Sequence, residues 1–180
     1  MTKATMAWHA AHRTYPSPPA GNRAVHGFTA LELLVAIAIV AILMSIGVPS
    51  LRDTIASQRV RAAANDLFSD LMFARAEAIK RNAQVRLVRG STSWSEGWTV
   101  MAAGTALRAK PRLSDVAFAG AVIDNVTYNA DGRTTLGTTT SFNFSAAADG
   151  AISMRCVVIT PSGRPAVLVD GNRNGNCQDG

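Results

Sequence analysis

The sequence predicts an α+β fold: a long N-terminal helix packed on a C-terminal antiparallel β-sheet head. Three observations predict it. Phe28–Val48 is a predominantly apolar run of 21 residues with a single charge, Glu32. Behind it, apolar residues keep helical spacing as far as Arg81. From Asn82 onward the pattern changes to short alternating stretches separated by turn dipeptides.

Four segments follow from this: 1–27, 28–48, 49–82 and 83–180. Residues 1–27 hold Lys3, Arg13 and Arg23 and no acid, and Pro16, Pro18, Pro19 and Gly21 interrupt regular structure. A basic, acid-free stretch ahead of an apolar run has the composition of a targeting leader. As a helix, 28–48 would be about 31 Å long, against a hydrocarbon core of about 30 Å. With the leader's charges held back, Arg52 onward crosses the membrane. One residue disturbs this picture. A carboxylate at the centre of a bilayer helix costs roughly 2.5–3.5 kcal/mol, and Glu32 has no Lys or Arg close by in sequence.

In the second half of the helix Val60, Ala64, Leu67, Leu71, Ala74 and Ala78 form one apolar stripe, widened by Phe68, Met72 and Ile79. The polar side carries Arg59, Arg61, Asp66, Asp70, Glu77, Lys80 and Arg81. One helix from Phe28 to about Arg81 is expected, bent near Gly47–Pro49, because Pro49 removes a backbone donor. Strands are expected at Gln84–Arg89, Gly97–Met101, Ala121–Tyr128, Ser141–Phe144, Ala151–Thr160 and Pro165–Val169. Asp131-Gly132, Asp149-Gly150 and Pro161-Ser162-Gly163 mark turns between them. Trp94 and Trp98 read as sheet-packing residues rather than ligand platforms.

The composition argues against catalysis. All three histidines, His9, His12 and His26, lie in the leading stretch, so a chain without it lacks the commonest general base near neutral pH. Gly132 and Gly137 have the spacing of a phosphate loop but lack its lysine. No enzymatic activity, cofactor or metal is expected. Asp170, Asn172 and Asn174 alternate as in the first half of a calcium loop, with Asp179 in place of the distal glutamate; Asx-turns explain the same composition. Cys156 and Cys177 read as a disulfide if the head is exported, the alternative being two buried thiols. The formal charge is +6; without residues 1–27 it is 15 basic against 12 acidic residues. The densest basic stretch is Arg75–Arg112, with eight basic and two acidic residues. It reads as a nucleic-acid surface, a contact with other chains, or a solvated helix end.

Gly27-Phe28-Thr29-Ala30-Leu31-Glu32-Leu33 resembles the processing motif of type IV pilins and type II secretion pseudopilins. The resemblance implies cleavage between Gly27 and Phe28 by a prepilin peptidase, which then methylates Phe28. It implies that Glu32 pairs with the N-terminal amine of a neighbouring pilin or pseudopilin subunit. A carboxylate is costly alone in an apolar bundle and tolerable when paired, so Glu32 becomes a register device. Pro49 stands where pilins carry a helix-kinking proline. The implied location is the bacterial inner membrane, single pass with the head in the periplasm, and then a periplasmic or surface filament.

"LMFARAEAIKRNAQVRLV", "WSEGWTVM" and "CVVITPSGR" are similar to the FimT-type minor pilins and to pseudopilin H. The first likeness implies a minor pilin that enters or primes a type IV filament and binds double-stranded DNA during natural transformation. Gly163-Arg164 matches the first half of the Gly-Arg-x-Arg motif of that group, and Pro165-Ala166 replaces the second. Arg155 and Arg173 are the expected helpers of Arg164, drawn close by the Cys156–Cys177 link. The alternatives are the type II secretion minor pseudopilin H and a membrane-anchored periplasmic binding domain outside any filament.

Overall fold

The computed structural model describes residues 28–120, 123–147 and 152–177. Residues 1–27 with Gly27 of the expected cleavage position, Asp149-Gly150 and Asp179 lie outside them. The first helix, α1, runs over Ala30–Arg81, 52 residues, close to the expected span and continuous through Pro49. It is long and apolar enough to cross a membrane. The chain divides into two compact units, residues 1–41 and 42–180. In the first, Leu31, Leu33, Leu34, Val35, Ile37, Ile39 and Val40 are all exposed.

In the second unit the helix changes character. Ile42, Leu43, Met44, Ile46, Val48, Leu51 and Ile55 remain exposed, whereas Val60, Ala63, Ala64, Leu67, Leu71, Ala74 and Ala78 are buried. The alanines let the helix backbone approach the sheets closely. Phe68 is half-buried against the core, while Met72 and Ile79 are exposed. Asp70 departs from expectation: charge places it on the polar face, yet it is 6% exposed. Its spacing from Leu67 and Ala74 is that of the buried stripe.

Eight strands follow among the described residues: β1 (Val85–Arg89), β2 (Trp98–Ala102), β3 (Thr105–Lys110), β4 (Val116–Gly120), β5 (Asn125–Tyr128), β6 (Thr140–Ala146), β7 (Arg155–Ile159) and β8 (Pro165–Val169). They form not one antiparallel sheet but two, ordered β3-β2-β1-β5 and β4-β6-β7-β8. The chain enters the second sheet at β4, returns to the first at β5 and leaves it again. β3 and β4 were not expected. β3 is exposed at four of six positions and its sequence, Thr-Ala-Leu-Arg-Ala-Lys, has little β-branched character.

Inner faces of both sheets and the helix stripe share one core, with Leu87, Val100 and Val126 from the first sheet and Phe142, Phe144, Val157 and Ile159 from the second. Trp94, in a short 3-10 turn, and Trp98 are 1% and 2% exposed. Trp94 meets Phe142 edge to face at 4.9 Å and donates its indole N–H to the Ile123 carbonyl at 3.0 Å. Both tryptophans are packing residues. Asp70 accepts from the Trp98 indole and from Arg108, each at 2.8 Å. Arg108 also stacks 4.0 Å above the Phe73 ring. One buried carboxylate therefore ties the helix to β2 and β3.

Candidate functional site

The helix start is built by Thr29. Its hydroxyl accepts the Glu32 backbone N–H at 3.2 Å, and its carbonyl accepts from Leu33 at 3.2 Å. Thr29-x-x-Glu32 has the spacing of a capping box, so the motif residues have a local role before any partner is considered. Glu32 sits in the first helical turn, where the helix dipole favours an acid. Phe28 and Glu32 are both exposed.

The cations of the head fall into two classes, and this division is invisible in sequence. Most of the basic stretch is neutralised internally. Lys80 and Arg81 bond Glu77, Arg89 bonds Asp124, Arg108 bonds Asp70, Lys110 bonds Asp66, and Arg112 lies 3.6 Å from Glu96. The Arg81 hydrogen bond holds Glu77 below the usual carboxylate range. Six of the eight cations between Arg75 and Arg112 are thus ion-paired; Arg75 is partly buried, its Nε without a hydrogen-bond partner among the described residues, and Arg86 is exposed. Arg59 is likewise paired with Asp115.

Arg155, Arg164 and Arg173 remain outside these pairs, but they do not come together. In the β7–β8 hairpin Arg155 lies opposite Val169 at the open end, and Ile159 opposite Pro165 at the turn. About 13 Å of strand, at ~3.3 Å per residue, separates Arg155 from the turn that carries Arg164. The expected cluster of three is corrected to two sites. Arg155 and Arg173 line a groove of about 670 Å³ together with Arg61. Its helix wall is a polar stripe at spacings of three and four: Ser50, Asp53, Thr54, Ser57, Gln58 and Arg61. Partial burial, with the Arg61 charge second, pulls Arg155 below the usual guanidinium range.

Arg164 instead shares its end of the hairpin with Arg133. Gly163 has φ +80° and a Cβ there would lie 2.1 Å from the Gly132 carbonyl oxygen. Thr134 donates its N–H to the Pro161 carbonyl at 3.1 Å. The turns marked by Asp131-Gly132 and Pro161-Ser162-Gly163 therefore clasp each other, and each is followed by an exposed arginine, Arg133 and Arg164. Spacing along the chain gave no hint of Arg133, because the contact joins loops about thirty residues apart.

Cys156 and Cys177 are disulfide-bonded, with Cα atoms 6.1 Å apart, inside the ordinary range for a bridge. The bridge returns the segment after β8, with Arg173, to the start of β7. Asp170 is 2% exposed and accepts the backbone N–H groups of Asn174 at 3.2 Å and Gly175 at 2.8 Å. Asn172 and Asn174 accept from residues two positions on. The two asparagines make Asx-turns, while Asp170 reaches further along the loop to the backbone N–H groups of Asn174 and Gly175. Among the described residues no group of His, Cys, Asp or Glu is arranged to hold a metal.

Comparison with known proteins accords with this construction. The family model described as type II transport protein GspH matches residues 63–163, and that of the prokaryotic N-terminal methylation motif matches residues 22–48. Two crystal structures of the Pseudomonas aeruginosa type IV minor pilin FimU share the fold. One, in space group P21, superposes with a TM-score of 0.54 at 19% identity over 61% of this chain and 88% of that one. The other, in P65, gives 0.52 at 20% identity over 59% and 90%. No curated protein sequence matches the chain significantly. The segment matched by the first family model holds the last part of α1, all of β1–β7 and every ion pair named above except that of Arg59; by that match, which spans 101 of 180 residues, the chain belongs to the GspH family of the pilin and pseudopilin superfamily.

Proposed function

We propose that this chain is a FimT-like minor pilin, cleaved between Gly27 and Phe28, held in the inner membrane by residues 28–48 with its head in the periplasm, and then drawn into a type IV filament. The observation that carries this reading is α1. Its first half exposes an apolar surface from Leu31 to Ile55, which in water has no stable existence. Lipid covers it first, and the like helices of other subunits afterwards. In that bundle Glu32 answers the amine that cleavage creates at Phe28. Pro49, in this reading, supplies the bend between the two halves.

The test is substitution of Glu32. Since the Glu32 backbone N–H makes the Thr29 cap, Glu32→Ala and Glu32→Gln both leave that bond in place. Both variants are expected to be processed and membrane-inserted yet absent from sheared filaments, with mass spectrometry giving methylated Phe28 as the first residue. Normal incorporation of Glu32→Gln would remove the charge-pairing role, and an intact leader in a peptidase-positive cell would remove the processing role.

A second reading concerns double-stranded DNA. It is supported by Arg133 and Arg164, which stand on clasped turns and, among the described residues, are in none of the ion pairs. It differs from the sequence expectation in replacing Arg155 and Arg173 by Arg133. The type II secretion pseudopilin H remains the rival assignment within the family; recovery of the chain from type IV pili rather than from a secretion pseudopilus decides between them.

A further inference from the structure

Among the described residues six carboxylates hold cations: Asp66, Asp70, Glu77, Glu96, Asp115 and Asp124 each pair with a Lys or Arg. The groove between Ser50–Arg61 of α1 and the start of β7 departs from this pattern. It brings three guanidinium-bearing residues, Arg61, Arg155 and Arg173, to one concavity of about 670 Å³ in which Asp53 is the single acid among the described lining residues. Like charges in one groove repel, and the Arg61–Arg155 repulsion is felt by Arg155. An arrangement of this kind is stabilised when an anionic group enters. The helix wall facing it is wholly polar, so the groove is not an unfilled part of the core.

Its position selects the occupant. Val48, Leu51 and Ile55 form an exposed apolar stripe on the same helical turns as Ser50, Asp53 and Thr54. Whatever covers Leu51 and Ile55 lies beside the mouth of the groove. A lipid headgroup reaches poorly: Ser50 to Arg61 spans about 16 Å of helix at 1.5 Å per residue, whereas the headgroup layer is roughly 5–7 Å thick. A protein neighbour can cover the stripe and enter the groove together.

We infer that the Arg61–Arg155–Arg173 groove is the docking site for an acidic segment of a neighbouring, different pilin-type subunit. This rests on the filament reading above and adds to it the chemistry of the partner. Apolar contact on Leu51 and Ile55 supplies affinity, and carboxylates in the groove select which subunit sits there. The disulfide is part of the device, because Cys177 holds the Arg173 loop against β7.

The experiment places a photo-cross-linking p-benzoylphenylalanine at exposed Gln58 of the full-length chain, expressed with its own filament subunits. The expected adduct is with another pilin-type subunit, at a peptide carrying Asp or Glu. Arg61→Glu with Arg173→Glu, both exposed and outside the core, is expected to cut that adduct at least about tenfold with an unchanged melting temperature. Reversing the cross-linked acid of the partner to Arg restores it. An adduct that survives the double reversal, or one mapped to lipid, to DNA or to a peptide without acids, overturns the inference. Filament entry measured in the same cells separates the two claims. Failure of the unsubstituted chain to enter removes the filament reading and this one with it. Normal entry and an undiminished adduct in the double variant remove this one alone.

Discussion

Asp70 shows how a single residue is misread when its charge is weighed before its place. Its spacing from Leu67 and Ala74 is that of the buried stripe, and the structure buries it between the Trp98 indole and Arg108. Asp70→Ala leaves a buried indole donor unpaired and frees Arg108. Arg108 is 47% exposed, so water recovers part of that loss and the expected destabilisation is about 1–3 kcal/mol. Urea unfolding of the mature chain in detergent, followed by tryptophan fluorescence, measures it; a change below about 0.5 kcal/mol, the range of ordinary surface substitutions, would mean that the clamp carries no stability. The same lesson governs the arginines. Lys110 meets Asp66, Arg108 meets Asp70, and Arg89 meets Asp124 across more than thirty residues. No local charge count separates these spent cations from Arg133, Arg164 and Arg173.

Elements with a strong period were legible, and elements that live by pairing were not. The helix is read correctly almost to the residue, because the apolar run has the length of a membrane-spanning helix and the stripe from Val60 to Ala78 follows helical spacing. β3 escaped because it is an exposed edge strand, and β4 because it is a short apolar stretch ending in Gly120. The partition into two sheets escaped for a different reason: alternation says that a strand has an inner face, not which sheet that face belongs to. The β2–β3 connection also hid its turn. Ala103 and Gly104 have φ of 48° and 81°, the left-handed pair of a tight hairpin, where Asn-Gly is the common signal. Alanine in that conformation costs roughly 1–2 kcal/mol. Ala103→Asn is therefore expected to stabilise the head by about 1 kcal/mol, seen as a higher urea midpoint at unchanged slope; a lower midpoint would show that the turn is set by something other than backbone preference. The Cys156–Cys177 bridge acts on the same scale. It closes a separation of 21 residues, so its removal by Cys177→Ser is expected to cost about 3 kcal/mol.

At the scale of the molecule, the charge that matters is what is left after the internal pairs are formed. The groove of Arg61, Arg155 and Arg173 and the clasped turns of Arg133 and Arg164 lie at opposite ends of the β7–β8 hairpin. The basic stretch before Arg112, the densest in sequence, is largely spent on carboxylates. If duplex DNA is bound at the clasped turns, the phosphate contacts number two rather than the three that the sequence suggested. The logarithm of the affinity should then fall with the logarithm of salt at a slope of about −1.8, from roughly −0.9 per contact. With so few contacts the dissociation constant belongs in the non-specific range of about 10⁻⁴–10⁻⁶ M at physiological salt. Arg133→Ala and Arg164→Ala should each remove about one unit of slope and weaken all sequences alike. Arg173→Ala, beyond the far end of the hairpin, should leave the slope unchanged. Fluorescence anisotropy of a labelled duplex against the mature chain in nanodiscs of uncharged lipid gives all three slopes. If Arg173→Ala lowers the slope and Arg164→Ala does not, DNA enters the groove instead, and the groove's proposed neighbour must compete with it. If no anisotropy change occurs even at low salt, the two arginines of the turns are solvated charge and the chain works through assembly alone.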